Sequence, residues 1–121
     1  MSEPQGFEAY VKPENDRSAL GQEITIMKDG TIGISGESHG LINRDRRVEF
    51  LFNRDRSVLA IRAAGDSPNG YKTSRPLKSG YTTVYARPFL QKYGVKLGTT
   101  IRLAAWLEKD LLCADVSELI A

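Results

Sequence analysis

From Ile24 onward the apolar positions of the chain alternate with polar ones. Ile24 and Ile26 alternate with Thr25 and Met27, and the alternation resumes at Ile32 and Ile34 after Lys28-Asp29-Gly30. A period of two puts alternate side chains on one face of a strand. Asp-Gly between two such runs predicts a tight hairpin, because glycine tolerates the positive φ that the turn requires. The following stretch, GESHGLIN, is too short and too broken by glycine for more than a turn or two of helix. Val48, Phe50 and Phe52 then alternate with Arg47, Glu49 and Leu51. After Asn53-Arg54-Asp55-Arg56 the run Val58 to Arg62 completes a second hairpin across a polar loop.

The pattern then repeats. AAGDSPNG, residues 63–70, is small and turn-rich and reads as a linker. YKTSRP, residues 71–76, predicts a strand limited by Pro76, Leu77–Gly80 a turn, and YTTVYA a further strand. In ARPFLQKYGV, Pro88 stands where a first helical turn accepts it, Phe89, Leu90 and Tyr93 follow at helical spacing, and Gly94 is a stop. Ile101, Leu103, Ala105 and Leu107 form one face of a strand, Glu108-Lys109-Asp110 turns it, and LLCADV returns. SELIA ends the chain as a last helical turn or a frayed end. Both halves thus read strand, glycine turn, strand, short helix, strand, polar turn, strand. MKDGTIGIS, residues 27–35, lies against LKSGYTTVY, residues 77–85. RRVEFLFNRDRSVLAIRA faces TTIRLAAWLEKDLLCADV after an insertion of about four residues in the second half.

That unit resembles the AbrB, MazE and SpoVT family of swapped-hairpin transcription factors. The second half carries the likeness best, in Lys78-Ser79-Gly80, Val84, Ala86-Arg87-Pro88-Phe89-Leu90, Tyr93-Gly94-Val95, Gly98 and Ile101. The chain is also similar to small prokaryotic and phage proteins with this duplicated pattern. The resemblance implies a mainly β protein with short helices (α+β), made of two tandem swapped-hairpin β-β-α-β-β units forming a pseudo-two-fold barrel. Residues 1–23 would be an N-terminal arm, 24–64 the first unit, 65–70 a linker, 71–117 the second unit and 118–121 a tail. A tandem copy would act as a monomer with pseudo-two-fold symmetry or as a homodimer. Thr31 and Tyr81 stand where family members carry an arginine that helps meet DNA, and Ser35 and Tyr85 or Ala86 stand where the second strand often ends in proline.

Composition narrows the chemistry. A length of 121 residues, 40% of them hydrophobic and 26% charged, is that of a globular domain with a modest core. No run approaches the ~20 apolar residues of a membrane span, and MSEPQGFEAY lacks the features of a signal peptide, so a cytoplasmic protein without a membrane partner is expected. One cysteine and one histidine cannot supply the usual zinc ligand sets, and no metal or cofactor is expected. Cys113 reads as a small buried hydrophobe and His39 as a surface histidine near a helix end. No paired carboxylates or phosphate-cradling glycine loop are present, which points away from an enzyme.

Charge is the uneven feature. Residues 67–107 carry seven basic side chains (Lys72, Arg75, Lys78, Arg87, Lys92, Lys96 and Arg102) and no carboxylate, ahead of an acidic segment at 108–121. Gathered on one face, such a set suits phosphate backbone. The tetrapeptide Asn-Arg-Asp-Arg also occurs twice, at 43–46 and 53–56. A strand of ~20 Å between the copies prevents a single tight patch, so the second is expected to be only a solvated loop. The expected function is therefore DNA binding of a transcription-regulatory kind. The candidate contacts are Lys28, Arg44, Arg46, Arg47, Lys72, Arg75, Lys78, Arg87 and Lys92, with base specificity from Arg44, Arg47, Arg75 or Arg87. The alternative is a protein-interaction module, antitoxin-like or a phage-type inhibitor, that binds an acidic protein partner.

Overall fold

A computed structural model describes residues 22–120, so all but the last two residues of the expected arm, and Ala121 of the tail, lie outside the described residues. The strands are β1 (Glu23–Ile26), β2 (Thr31–Ile34), β3 (Arg47–Asn53), β4 (Val58–Ala63), β5 (Tyr71–Lys72), β6 (Thr82–Tyr85), β7 (Ile101–Ala104), β8 (Trp106–Glu108) and β9 (Leu111–Asp115). Helices α1 (Gly36–Leu41) and α2 (Arg87–Lys92) follow β2 and β6, and a 3-10 turn covers Ser117–Leu119. The chain is mainly β with two short helices, an α+β arrangement. Its strands form two antiparallel sheets, ordered β6-β2-β1-β7 and β5-β3-β4-β9-β8. Among the described residues no strand pairing closes either sheet into a barrel.

Each sheet takes strands from both halves of the sequence. In the first, β2 pairs with β6 over Thr31↔Tyr85 to Ile34↔Thr82, and β1 pairs with β7. In the second, β4 pairs with β9 over Val58↔Asp115 to Ile61↔Leu112. The strand that begins at Ile101 crosses from one sheet to the other at the fully buried Ala105, whose N–H donates to the Gln22 carbonyl at 2.8 Å. Neither half buries enough surface alone, and interleaving lets Ile24, Ile26, Ile32, Ile34, Leu59, Ile61, Val84, Leu90 and Leu112 share one core. Each of these large side chains contributes about 1.5–3 kcal/mol through burial.

Local chemistry explains the helices. Ser35 caps α1 by accepting the Ser38 N–H at 3.2 Å, and the same Oγ accepts the Glu23 N–H at 3.2 Å, so one hydroxyl ties the helix to β1. Helix α2 has no side-chain cap. Pro88 supplies the preset φ of its first turn instead.

Three sequence expectations change, and the 65–70 stretch gains specific contacts. The strand expected over 71–76 is regular only at Tyr71–Lys72. Pro76 lacks a ladder donor, and Ser74 turns its N–H to the Thr83 carbonyl at 2.7 Å. The linker 65–70 is tied down, because Arg47 donates to the carbonyls of Gly65 and Ser67 at 2.6 and 2.8 Å and approaches that of Gly70 at 3.4 Å. His39 is buried, not exposed, and its Nε2 lies 2.7 Å from the Asp45 carbonyl. A carbonyl only accepts, so Nε2 carries the proton there. The second Asn-Arg-Asp-Arg is not merely solvated: Arg56 makes two bonds to the Glu108 carboxylate, at 2.9 and 2.6 Å, across 52 residues of sequence. Cys113 is buried as expected, and burial raises its thiol pKa.

Candidate functional site

Two glycine turns organise the cations of the first sheet. In the β1–β2 turn, Met27 N–H donates to Thr31 at 2.8 Å, Gly30 N–H donates to Met27 at 3.0 Å, and Asp29 Oδ1 accepts the Thr31 N–H at 3.0 Å. Fifty residues on, Leu77 N–H donates to Tyr81 and Gly80 N–H to Leu77, both at 2.9 Å, and Ser79 Oγ accepts the Tyr81 N–H at 3.3 Å. Both glycines are left-handed, with φ of 91° and 87°. The β2–β6 register continues outward, since Ala86 N–H donates to the Gly30 carbonyl at 2.9 Å. The turns therefore stand at opposite ends of one strand pair, ~20 Å apart at ~3.3 Å per residue.

Each turn sits on the start of a helix. A Cβ on Gly30 would meet Arg87 Cβ at 2.4 Å, and a Cβ on Gly36 would meet the Ser79 carbonyl at 2.2 Å. Lys28 and Arg87 thus share one end of the strand pair. Lys78 and Arg44 share the other, where a Cβ on Gly80 would lie 3.2 Å from the Arg44 guanidinium. Arg44 takes φ 54° just past α1, held there by its N–H donating to the His39 carbonyl at 2.8 Å. The acidic neighbours differ. Asp29 lies within the first turn, its pKa lowered chiefly by the Thr31 N–H and also by the positive charge of Arg87. Glu37 is the exposed residue after Gly36 at the second.

Of the other candidates, Arg46 donates to the Thr73 carbonyl at 3.4 Å, and Arg47 is committed to the 65–70 loop. Lys72 is exposed in β5 and Arg75 in the irregular stretch after it. Lys92 lies over Tyr93 at 5.6 Å, near the groove described next and away from the turns. Among the described residues the ion pairs are Arg56–Glu108, Arg62–Glu49 and Arg102–Glu23, and none of the nine candidates takes part.

A second feature was not anticipated. Phe50 and Phe52 of β3, Tyr71 of β5, and Phe89 and Tyr93 of α2 and its end form a connected aromatic array. Phe50 stacks on Phe89 at 4.9 Å and Phe52 on Tyr93 at 4.5 Å, with Tyr71 tilted on Phe50 at 5.2 Å. Arg54 also lies over Tyr93, at 4.8 Å. Beside the array runs a groove of about 640 Å³, a size that suits a ligand. Period-two Phe50 and Phe52 and helically spaced Phe89 and Tyr93 carry a signal in sequence, but only as two separate apolar faces. Glu49 on the groove wall has its pKa lowered, first by the Ser67 hydroxyl and then by Arg62.

No protein-family model, curated protein or solved structure matches the chain. Among the described residues no cluster of His, Cys, Asp and Glu could hold a metal ion, and no helix is long and apolar enough to cross a membrane.

Proposed function

We propose that the chain is a small, non-enzymatic, transcription-regulatory DNA-binding protein. In this reading it consists of two tandem swapped-hairpin units similar to the AbrB, MazE and SpoVT family, related by a pseudo-two-fold axis between Gly33 and Thr83. Support for the duplication lies in the matching hydrogen bonds of the two turns and in strand pairs drawn from both halves. The observation that carries the function is that two cation groups, Lys28 with Arg87 and Lys78 with Arg44, flank one strand pair and lack ion-pair partners among the described residues. Exposed cations without an ion-pair partner suit phosphates, and a span of ~20 Å covers roughly six phosphates at ~3.4 Å each. Lys72 and Arg75, exposed in the second half, extend the set, whereas Arg47 bonds to the 65–70 loop and Arg46 to the Thr73 carbonyl.

Fluorescence anisotropy with labelled duplex DNA, random and enriched by selection, at two salt concentrations tests the proposal. Four phosphate contacts predict a loss of roughly a hundredfold in affinity between ~50 and ~200 mM salt. Absence of binding at low salt, or binding indifferent to salt, rules it out.

A further inference from the structure

The second sheet has an edge that its neighbours leave open. Strand β3 pairs with β4 from Val48 to Asn53, but on its other side β5 reaches only Arg47 and Val48. Main-chain direction alternates along a strand. The Arg47 carbonyl accepts from Ala64 on the β4 side, and the Arg46 carbonyl accepts from Thr73 on the β5 side, both at 2.8 Å. Residues 50 and 52 follow the alternation of Arg46, so Phe50 and Phe52 direct their N–H and C=O groups away from β4. Among the described residues no strand pairs with them there. The edge segment Glu49–Phe52 carries no proline or lysine to keep it from pairing, and its one charged group, the Glu49 carboxylate, is held by Arg62 and Ser67. Along it lies the aromatic groove, walled by Tyr71 on one side and by Pro88, Phe89, Lys92 and Tyr93 on the other.

We propose that this edge and groove bind an extended acidic peptide of a partner protein, which adds to the sheet as a further strand beside β3. Phe50 and Phe52 offer two donors and two acceptors at strand spacing, and alternate apolar side chains of the peptide pack against Tyr71, Phe89 and Tyr93. Charge selects the occupant. Arg54 and Lys92 hold positive charge over Tyr93, and neither has an ion-pair partner among the described residues. Glu49, the carboxylate on the wall, is already bonded by Arg62 and Ser67. A second copy of the chain would bring the same cationic rim against itself. A nucleic-acid strand would satisfy the cations but leave the alternating N–H and C=O groups of the edge without their natural complement.

The test uses the full-length chain and a labelled peptide of alternating phenylalanine and threonine with glutamates at both ends, long enough to cover Glu49–Asn53. Two versions are N-methylated on alternate amides in opposite phases, and their side-chain alternation fixes which amides face β3. Expected results are binding of the parent peptide, a loss of about tenfold or more for one methylated phase, and near-parental affinity for the other. Lys92→Glu, at an exposed position, weakens the parent peptide about fivefold, and the lysine counterpart of the peptide does not bind. Equal affinity of both methylated phases, no binding of the acidic peptide, preferential binding of oligothymidine, or a homodimer that excludes the peptide would each overturn the proposal. The outcome does not depend on the DNA reading, because peptide binding is measured without DNA and the contrast between the methylated phases reports only on the β3 edge.

Discussion

The turns at Gly30 and Gly80 close with the same hydrogen bonds yet rest on different floors. Gly30 lies on the Cα and Cβ of Arg87, with no room for any side chain, whereas the space over Gly80 is bounded by the Cα of Gly36 at 3.0 Å and the flexible Arg44 guanidinium at 3.2 Å. Their side-chain caps differ as well. Asp29 places a fixed negative charge between Lys28 and Arg87, while Ser79 makes the equivalent bond without charge. Backbone geometry is therefore the shared property, and electrostatics and steric tolerance distinguish the two ends.

The largest expected effect is steric. Gly30→Ala should destabilise the fold by about 2–4 kcal/mol, from left-handed strain plus a contact that only backbone movement relieves. Gly80→Ala carries the same strain with a softer contact and should cost about 1–2 kcal/mol. Denaturant unfolding measures both, and an equal or larger loss for Gly80→Ala breaks the comparison. Next, Arg47→Gln should lower stability by about 1–2 kcal/mol, because carbonyls of the 65–70 loop lose their donor, while DNA affinity changes less than about twofold. A large affinity loss with unchanged stability would return Arg47 to the interface. Charge reversal at either turn, Lys28→Glu, Lys78→Glu or Arg44→Glu, should weaken DNA binding about tenfold at low salt with the unfolding midpoint held. Asp29→Ser keeps the turn bond, removes the charge, and should tighten DNA binding about threefold; weaker binding would mean that Asp29 contacts a base or positions Arg87.

Another pair of turns, at the polar ends of the two later hairpins, gives the smallest effect. Arg56 and the Trp106 indole hold the Glu108 carboxyl at about 2, below its ordinary 4.5. A depressed folded-state value stabilises the native state above the ordinary value, and that contribution fades as pH falls from 4.5 toward 2. Acid titration of unfolding should therefore show a slightly shallower decline in Glu108→Gln over that window, and parallel curves would contradict the pairing. Because Arg56 and Glu108 are solvent-exposed, added salt should shrink the difference.

Much of the fold was legible because its signals are local. Asp29-Gly30 marked a hairpin, Pro88 and Gly94 bracketed α2, and the alternation of Val48, Phe50 and Phe52 marked β3. What the pattern could not convey depends on chain segments meeting. Arg56 finds Glu108 across the interleaved halves, and Arg47 finds carbonyls eighteen or more residues away. His39 is buried because the chain reverses after α1 and brings the Asp45 carbonyl over its ring, which no pattern around Ser38-His39-Gly40 encodes. Tyr71, Phe50 and Phe89 come from three elements, and their convergence on one open edge is a tertiary fact. Strand expectation failed at 73–76 for a local reason that composition did hint at, since Pro76 was already visible there. Among the candidate cations, charge counting found the Lys78 and Arg87 that now flank the strand pair, but could not separate them from arginines spent on the backbone.

The most direct test of the central claim is the salt dependence of DNA affinity for the natural chain and for a variant with Lys28, Arg44, Lys78 and Arg87 replaced by glutamine. Four phosphate contacts predict that the slope of log K against log salt becomes shallower by about 3.6 in the variant, with the fold retained by circular dichroism. An unchanged slope, with affinity intact, would contradict the assignment of the two turns as the DNA-contacting surface.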